Sequence, residues 1–256
     1  MTDTVSLDVD DGVATVTVDR PDSLNALNVE TLHALLGAFD DAADADARAV
    51  VLTGAGDQAF VAGADISYMV DMDTAEAQAY ADLGHEVANR IESFPAPVVA
   101  AINGYAFGGG MELALACDLR VASERAVLGQ TEIDLGIIPG WGATQRLPRL
   151  VDDETARRLI YFGDRLDATD AHEEGLVGEV VAHDELREHA ADLAADLAAQ
   201  PATALRAAKE AINQSHETTL AAGLDFERRT WAGLFGSHDQ REGMEAFLED
   251  REPDFE

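Results

Sequence analysis

The apolar residues of the chain follow two different patterns, which meet near Val181. In the first pattern, short apolar runs alternate with segments of helical spacing. Val5 to Val9 and Val13 to Val18 flank Asp11-Gly12, a pair typical of a tight β-hairpin turn. Ala49 to Thr53 is a nearly continuous apolar run, as expected of a buried strand. Strands that alternate with helices in this way predict an α/β fold.

Two helices of this first part carry recognisable start signals. Asn28 is a favourable cap for a predicted helix that runs to about Ala43 with leucines at helical spacing. Asp73 or Thr74 caps a longer predicted helix that ends near Ser93.

After position 183 the pattern becomes almost wholly helical, with Pro201, Gly236 and Pro253 as breaks. No linker rich in Pro, Gly or Ser separates the two parts. We therefore expect a core over residues 1–183 and a helical region over residues 184–256 that packs on the core or on a neighbouring subunit. The predicted helices of this region are Leu186 to Ala199, Thr203 to Ser215, Leu220 to Leu234 and Glu242 to Glu249.

The segment from Pro95 to Cys117 contains a single charged residue, Glu112, although 26% of the whole chain is charged. Its pattern predicts a buried strand over Val98 to Ile102, a turn through Gly108-Gly109-Gly110, and then a helix. An isolated buried carboxylate is costly, so Glu112 is neutral, paired or present for chemistry. The alternative is that it complements the helix dipole in the first turn.

A second carboxylate in weakly charged, glycine-rich surroundings is Glu132, 20 residues after Glu112. One strand-like connection separates them, so the chain can return to the same end of the sheet and bring them together. Paired carboxylates with different pKa values are a common acid–base device. The alternative is that Glu132, like most acids in loops, faces water.

Two glycine-adjacent positions could expose backbone N–H groups. Ala64 lies in Phe60 to Ile66, which is predicted to be a loop of small residues, and Gly109 lies at a predicted helix start. Donors of this kind can hold the oxyanion that develops in a reaction. The alternative is that both positions belong only to tight turns.

The charge of the chain is extreme, because 50 Asp and Glu residues face 17 Lys and Arg residues for a net charge of −33. The acids are spread over a strongly patterned chain, so intrinsic disorder is a poor explanation. Direct binding of nucleic acid is disfavoured, since phosphate contacts need basic residues. Concentrated salt would screen the repulsion between these charges. The composition therefore suggests a protein from a halophilic cytoplasm.

The sequence favours a cytoplasmic protein without membrane segments. It has no run of 18 apolar residues, and its first residues lack the basic and apolar regions of a signal peptide. Cys117 is the only cysteine, which excludes an internal disulfide and a cysteine-based metal cluster. As a nucleophile it has little support, and a small buried side chain is the better interpretation.

Five motifs, in order along nearly the whole chain, resemble those of the crotonase (enoyl-CoA hydratase/isomerase) superfamily. The most specific is N-G-Y-A-F-G-G-G-M-E-L-A-L-A-C-D-L-R at 103–120. The other four are R-P-D-S-L-N-A-L at 20–27, F-V-A-G-A-D-I at 60–66, G-Q-T-E-I-D-L-G-I-I-P-G-W-G-A-T-Q-R-L at 129–147 and E-G-M-E-A-F-L-E-D-R at 242–251.

This resemblance implies a spiral of ββα units followed by a C-terminal helical trimerisation region. The expected partners are an acyl-CoA thioester substrate and further copies of the chain, as a trimer or a dimer of trimers. The thioester carbonyl would bind the backbone N–H groups of Ala64 and Gly109. Hydratases of the family use two glutamates, here Glu112 and Glu132. The reaction needs no metal and no cofactor other than the coenzyme A of the substrate.

The resemblance also implies a set of residues that contact coenzyme A or the acyl group. The loop from Ala62 to Ile66 would contact adenine. Trp141 replaces a commonly small residue and either shortens the acyl pocket or serves packing. Phe247 either reaches the coenzyme A site of a neighbouring subunit or is a core aromatic. The full set is Leu24, Ala62, Asp65, Ile66, Gly108, Trp141 and Phe247.

The implied reaction is the reversible addition of water to a 2-trans-enoyl-CoA, which gives a 3-hydroxyacyl-CoA. Glu112 is expected to activate water and Glu132 to protonate Cα. Two alternatives remain at this point. One is another acyl-CoA reaction on the same scaffold, such as double-bond isomerisation, which should need only one carboxylate. The other is a non-catalytic or RNA-binding protein, which the two carboxylates and the negative charge disfavour.

At three places the chain departs from the lysines that hydratases of this family often carry near coenzyme A. Asp22, Ser67 and Asp250 occupy these positions. Ion pairs between lysine and phosphate lose most of their strength in molar salt, which would explain the loss. Arg20 and Arg251 are the candidate replacements.

Overall fold

A computed structural model describes residues 4–256, and within these residues ten strands form two sheets. The strands are β1 (Val5–Asp10), β2 (Val13–Val18), β3 (Ala49–Gly54), β4 (Ala59–Val61), β5 (Val98–Ile102), β6 (Tyr105–Phe107), β7 (Leu119–Ser123), β8 (Val127–Gly129), β9 (Arg165–Asp167) and β10 (Glu179–Val181). Helices cover the larger sheet, so the predicted α/β arrangement is confirmed.

The larger sheet has six strands in the order β1-β2-β3-β5-β7-β10. The predicted hairpin is confirmed, because β1 and β2 pair antiparallel around Asp11 and Gly12, both of which have positive φ angles. The remaining neighbours pair in parallel. Strands β3 and β5 are buried along their whole length, which explains their nearly continuous apolar sequences.

The smaller sheet has four strands in the order β4-β6-β8-β9. Strand β4 contradicts the prediction of a loop throughout Phe60 to Ile66, because Ala59–Val61 is a buried strand. The reason lies in Gly104, where a Cβ atom would lie only 2.1 Å from the carbonyl oxygen of Gln58. This close approach brings β4 beside β6, and a three-residue strand is too short to show a period in the sequence.

Eleven α-helices occur in the described part of the chain, and two of them confirm the predicted start signals. The side chain of Asn28 accepts a hydrogen bond from Thr31 N, and Asp73 forms a capping box with Glu76. The helices are α1 (Val29–Asp44), α2 (Ile66–Met69), α3 (Thr74–Glu92), α4 (Gly109–Ala116), α5 (Ala143–Leu150), α6 (Asp153–Phe162), α7 (Ala168–Glu173), α8 (Leu186–Ala198), α9 (Ala202–Ser215), α10 (Leu220–Gly233) and α11 (His238–Glu249).

The C-terminal helices occur where the sequence predicts them, except that α9 starts one residue early, at Ala202, and α11 starts at His238. Helix α8 packs Leu186, Ala190 and Ala194 on the face of the larger sheet that α1 and α3 leave open. Helix α11 begins at His238 instead of Glu242, because Ser237 caps it and accepts a hydrogen bond from Gln240 N. Helices α10 and α11 expose most of their large apolar side chains.

Candidate active site

Glu112 lies in the first turn of α4 and is almost completely buried. Its Oε1 accepts hydrogen bonds from two backbone N–H groups of another segment, at 2.7 Å from Trp141 N and 2.9 Å from Ala143 N. Burial raises the pKa of this carboxyl above its ordinary value, and the two hydrogen bonds oppose that rise. Glu112 is therefore more than a complement to the helix dipole, because its carboxylate is fixed by the loop before α5.

Glu132 opens the 3-10 helix Glu132–Leu135 and is buried as well. The alternative that it is a solvated loop acid is wrong, whereas its neighbour Asp134 does face water. Burial, and after it the nearby charge of Glu112, together raise the pKa of Glu132 to about 7. The structure thus brings together the two carboxylates that the sequence predicts as a pair.

Gly108, Gly109 and Gly110, at the start of α4, each leave room for a different neighbour. A Cβ atom on Gly108, which also has φ of 48°, would lie 2.9 Å from Glu132 Oε1. The same atom on Gly109 would lie 2.2 Å from the indole of Trp141, and on Gly110 it would lie 2.0 Å from the carbonyl oxygen of Val61. The three glycines therefore bring a carboxylate, an aromatic ring and β4 against the start of one helix.

Gln130 is a site residue that the sequence analysis missed. Its side chain is fully buried, and its amide faces Glu132. The surrounding donors and acceptors assign the amide nitrogen to this side, where it donates to Oε1 at 3.1 Å and to Oε2 at 3.0 Å. The amide thus fixes the orientation of the carboxylate. The available signal was its position next to Gly129, two residues before Glu132, in a segment of low charge.

The two proposed oxyanion donors lie on adjoining segments. Ala64 forms an isolated parallel bridge with Leu27, in which Leu27 N donates to Gly63 O and Asp65 N donates to Leu27 O. This pattern directs the N–H of Ala64 away from Leu27. The N–H of Gly109 lies in the first turn of α4, where helices offer no internal acceptor. Both groups are therefore available to a ligand oxygen.

Trp141 is buried with its indole ring between α3 and α4. The ring lies against Gly109 on one side and against Gly84 on the other, where a Cβ atom would come within 2.1 Å of it. Tyr80 packs against the same ring edge-on, with ring centroids 5.4 Å apart. Trp141 thus packs in the core, and its ring also contacts Gly109 at the start of α4.

Four of the residues expected to bind coenzyme A lie together on the loop that begins at Ala62 and on the segment beside it: Leu24, Ala62, Asp65 and Ile66. The N–H of Ala62 donates to Leu24 O at 3.0 Å, and Ile66 is exposed beside it at the start of α2. Asp65 accepts a hydrogen bond from Ser67 and forms an ion pair with Arg20, and both interactions lower the pKa of Asp65. The loop therefore presents a carboxylate that is already neutralised by this chain.

Phe247 lies apart from this cluster on α11, with 85% of its surface exposed. The alternative that it is a core aromatic of this chain is wrong. Arg251, one of the two candidate replacements for lysine, is held by Glu242 and Glu249. Arg20, the other replacement, lies beside the loop from Ala62 to Ile66, where it forms an ion pair with Asp65.

Cys117 is excluded as a nucleophile by its environment. The thiol is buried, and burial raises its pKa to about 12. Its sulfur lies 3.4 Å from Leu113 O within α4, so the better interpretation, a small buried side chain, is confirmed.

Comparison with known proteins identifies the family. The enoyl-CoA hydratase/isomerase family matches residues 8–256. The chain is 42% identical to the short-chain-enoyl-CoA hydratase of Clostridium acetobutylicum over 250 residues, which cover 96% of this chain and 95% of the relative. It is 40% identical to the crotonyl-CoA hydratase of Syntrophomonas wolfei over 252 residues, which cover 98% and 97%.

The fold also matches solved structures of this kind. The crystal structure of enoyl-CoA hydratase from Bacillus anthracis superposes with a TM-score of 0.94 at 40% identity, and 98% of each chain is covered. The crotonase-like α/β fold that the resemblance implies is therefore confirmed. The chain belongs to the enoyl-CoA hydratase/isomerase family.

Proposed function

We propose that this protein catalyses the reversible addition of water to a 2-trans-enoyl-CoA, which yields a 3-hydroxyacyl-CoA. The observation that carries the proposal is the buried pair Glu112 and Glu132, which meets next to the unpaired N–H of Gly109. Two full-length relatives at 40–42% identity are named as hydratases of such thioesters, which supports the same reaction.

The substrate is activated by hydrogen bonds to its thioester oxygen. The N–H groups of Ala64 and Gly109 donate to this oxygen and stabilise the negative charge that develops on it in the enolate. Polarisation of the carbonyl makes Cβ electrophilic. Removal of one donor of this kind typically costs about 10²–10³ in rate.

The two carboxylates divide the proton transfers. Both backbone hydrogen bonds to Glu112 reach Oε1, so Oε2 is left to accept from a water molecule. The water oxygen bonds to Cβ as Glu112 takes its proton, and Glu132 gives a proton to Cα. With a pKa of about 7, Glu132 carries that proton in a large fraction of molecules near neutral pH. One proton then returns from Glu112 to Glu132, which restores the starting state.

The test is hydration of crotonyl-CoA by the purified protein in molar KCl, followed as loss of the absorbance of the conjugated thioester. Glu112→Gln and Glu132→Gln should each lower kcat by about 10²–10⁴. The exposed neighbour Asp134, as Asp134→Asn, is the matched control and should retain activity. Full activity in the double variant of Glu112 and Glu132 would refute the proposal.

Isomerisation of a 3-enoyl-CoA is the second candidate, because the family that matches the chain includes isomerases. An isomerase moves a proton between carbons and needs one carboxylate. Conversion of a 3-enoyl-CoA that survives in Glu112→Gln or in Glu132→Gln would favour this reaction over hydration.

Coenzyme A is expected only as part of the substrate. The loop from Ala62 to Ile66 is the proposed contact for its adenine. Among residues 4–256, no helix is both long and apolar enough to span a membrane. A cytoplasmic site of action in a halophile remains part of the proposal and is supported by the net charge of −33.

Further copies of the chain are the proposed partners, and residues 184–256 the proposed contact region. Large apolar side chains of α10 and α11 face solvent in a chain that otherwise has a highly charged surface, an arrangement typical of a subunit interface. These side chains are Leu220, Leu224, Trp231, Met244, Phe247 and Leu248. Light scattering in molar salt should give the mass of a trimer or hexamer, and Phe247→Asp should lower it, whereas a monomeric wild type would refute the assembly.

A further inference from the structure

Three aromatic side chains, Trp141, Tyr80 and Tyr68, form a row next to Gly109, which we call the wall. The indole of Trp141 contacts Gly109, and Tyr80 packs edge-on against that indole with centroids 5.4 Å apart. Tyr68 continues the row at 5.8 Å from Tyr80. Both Trp141 and Tyr80 are buried, and the Tyr80 hydroxyl donates a 2.5 Å hydrogen bond to Leu27 O. Tyr80 is therefore bonded to Leu27, the residue that forms the parallel bridge with Ala64.

Tyr68 and Tyr80 also line a cavity of about 510 Å³, and Trp141 is not among its lining residues. This volume falls in the range of small-molecule sites in proteins. The remaining lining combines apolar residues, among them Val29, Met72 and Leu83, with the polar residues His33, Asp71 and Glu76.

We propose that Trp141 and Tyr80 together set the acyl-chain limit of this enzyme by closing the pocket just beyond Cβ. The inference rests on the proposed function, which places the thioester oxygen at Gly109 and Cβ beside Glu112. Trp141 contacts both: its ring lies on Gly109 and its N–H holds Glu112. An acyl chain that continues past Cβ meets the indole, so short chains fit and longer chains collide with it.

Gly84 of α3 also contributes to the position of the Trp141 indole. A Cβ atom there would lie 2.1 Å from Cε2 and Nε1 of Trp141, so the indole occupies space that any side chain at position 84 would need. The absence of a side chain at position 84 allows the ring to sit at its present depth. The two positions are thus coupled: a larger residue at one requires a smaller residue at the other.

The experiment compares kcat/KM for 2-enoyl-CoA substrates of four, eight and ten carbons in molar salt. Wild type should favour the four-carbon substrate over the eight-carbon one by about tenfold or more, in line with the selectivity of apolar pockets. Trp141→Ala should raise the eight-to-four ratio by at least about tenfold, and Trp141→Phe should fall between. Tyr161→Ala removes an exposed aromatic on α6 and should leave the ratio unchanged.

A double-mutant cycle tests the coupling and guards against variants that merely unfold. Gly84→Ala alone should lower thermal stability and activity, whereas in the Trp141→Ala background the same substitution should cost little or no further stability. Additive losses in the cycle would overturn the role of Gly84. Equal activity of wild type on four and eight carbons would overturn the chain-length limit without any variant.

Binding of saturated thioesters separates this inference from the proposed function. Butanoyl-CoA and octanoyl-CoA cannot be hydrated, so their Kd values report the pocket alone. Tighter binding of butanoyl-CoA in wild type, lost in Trp141→Ala, supports the wall even if crotonyl-CoA is not hydrated. Tighter binding of octanoyl-CoA in wild type would refute the wall even if hydration is observed.

Discussion

Lys209, the only lysine of the chain, lies 2.7 Å from Asp118 Oδ2 and joins α9 to the start of β7. Its Nζ also donates to Ala96 O at 3.1 Å, and the same oxygen of Asp118 accepts from Val98 N. A cation held by several acceptors in a buried position is strongly coupled to them. The pair therefore fastens a C-terminal helix to the start of β5 and to the residue that precedes β7.

Replacing this lysine should weaken the fold. Lys209→Met leaves the partly buried Asp118 without its counter-ion, and we expect the free energy of unfolding to fall by about 3 kcal/mol. Denaturant unfolding in molar KCl measures the change. Arg157→Met, which breaks the exposed ion pair with Asp153, is the control and should change little. Equal effects of the two substitutions would contradict a special role for Lys209.

The pH dependence of the reaction should follow the carboxylate pair. The active form holds one proton on the pair, and the pKa of Glu132 is about 7. Activity should therefore fall as the pH rises above about 7, because Glu132 then loses the proton that Cα needs. Dehydration of a 3-hydroxyacyl-CoA uses the same singly protonated pair, so its kcat/KM should show the same profile. Opposite profiles for the two directions would contradict the assignment.

Gln130 should tune this pKa. Gln130→Leu removes two hydrogen bonds that favour the ionised form of Glu132, so the pKa of Glu132 should rise and the fall in activity should move to higher pH. A pH profile of kcat/KM for crotonyl-CoA measures the shift. A Gln130→Glu variant, which adds negative charge beside Glu132, should also move the fall in activity to higher pH. A shift to lower pH in the leucine variant would contradict the hydrogen bonds described.

Gly108 should tolerate no side chain. Gly108→Ala places a Cβ atom 2.9 Å from Glu132 Oε1 at a φ angle that disfavours alanine, and we expect kcat to fall by about 10². Gly37→Ala is the matched control. Gly37 is exposed to solvent in the middle of α1, and no neighbouring atom lies within 4 Å of its Cβ position. That variant should keep full activity and gain about 0.5–1 kcal/mol of stability.

Low salt should unfold or dissociate the protein. At about 1 M salt the screening length is about 3 Å, and at about 0.1 M it is about 10 Å, so repulsion among the acidic side chains grows on dilution. Dialysis from 2 M to about 50 mM KCl should lower helicity by circular dichroism and mass by light scattering. Unchanged helicity and mass would contradict the halophile proposal.

The sequence predicts the long elements and both acids, and the reasons are physical. Helices α1 and α3 carry capping residues and long apolar stripes, and the low charge around Glu112 and Glu132 signals burial. Strands of three residues such as β4 show no period, so they were missed. Gln130 was missed because its role depends on a partner two residues away whose side chain turns inward.

Contacts between distant segments are the part that the sequence could not supply. Nothing in the order of residues shows that the indole of Trp141 fits against Gly84, since that requires the packing of α3 on α4. The exposure of Phe247 is a second case, because an aromatic at helical spacing usually indicates a core position.

The main-chain N–H of Trp141 donates to Glu112, the proposed base, and its side chain forms the proposed end of the acyl pocket. Every amino acid except proline offers the same main-chain donor. Substitutions at position 141 can therefore change the size of the proposed acyl pocket while the hydrogen bond to Glu112 is kept. The range of acyl-chain lengths can thus change during evolution without a change in the carboxylate pair.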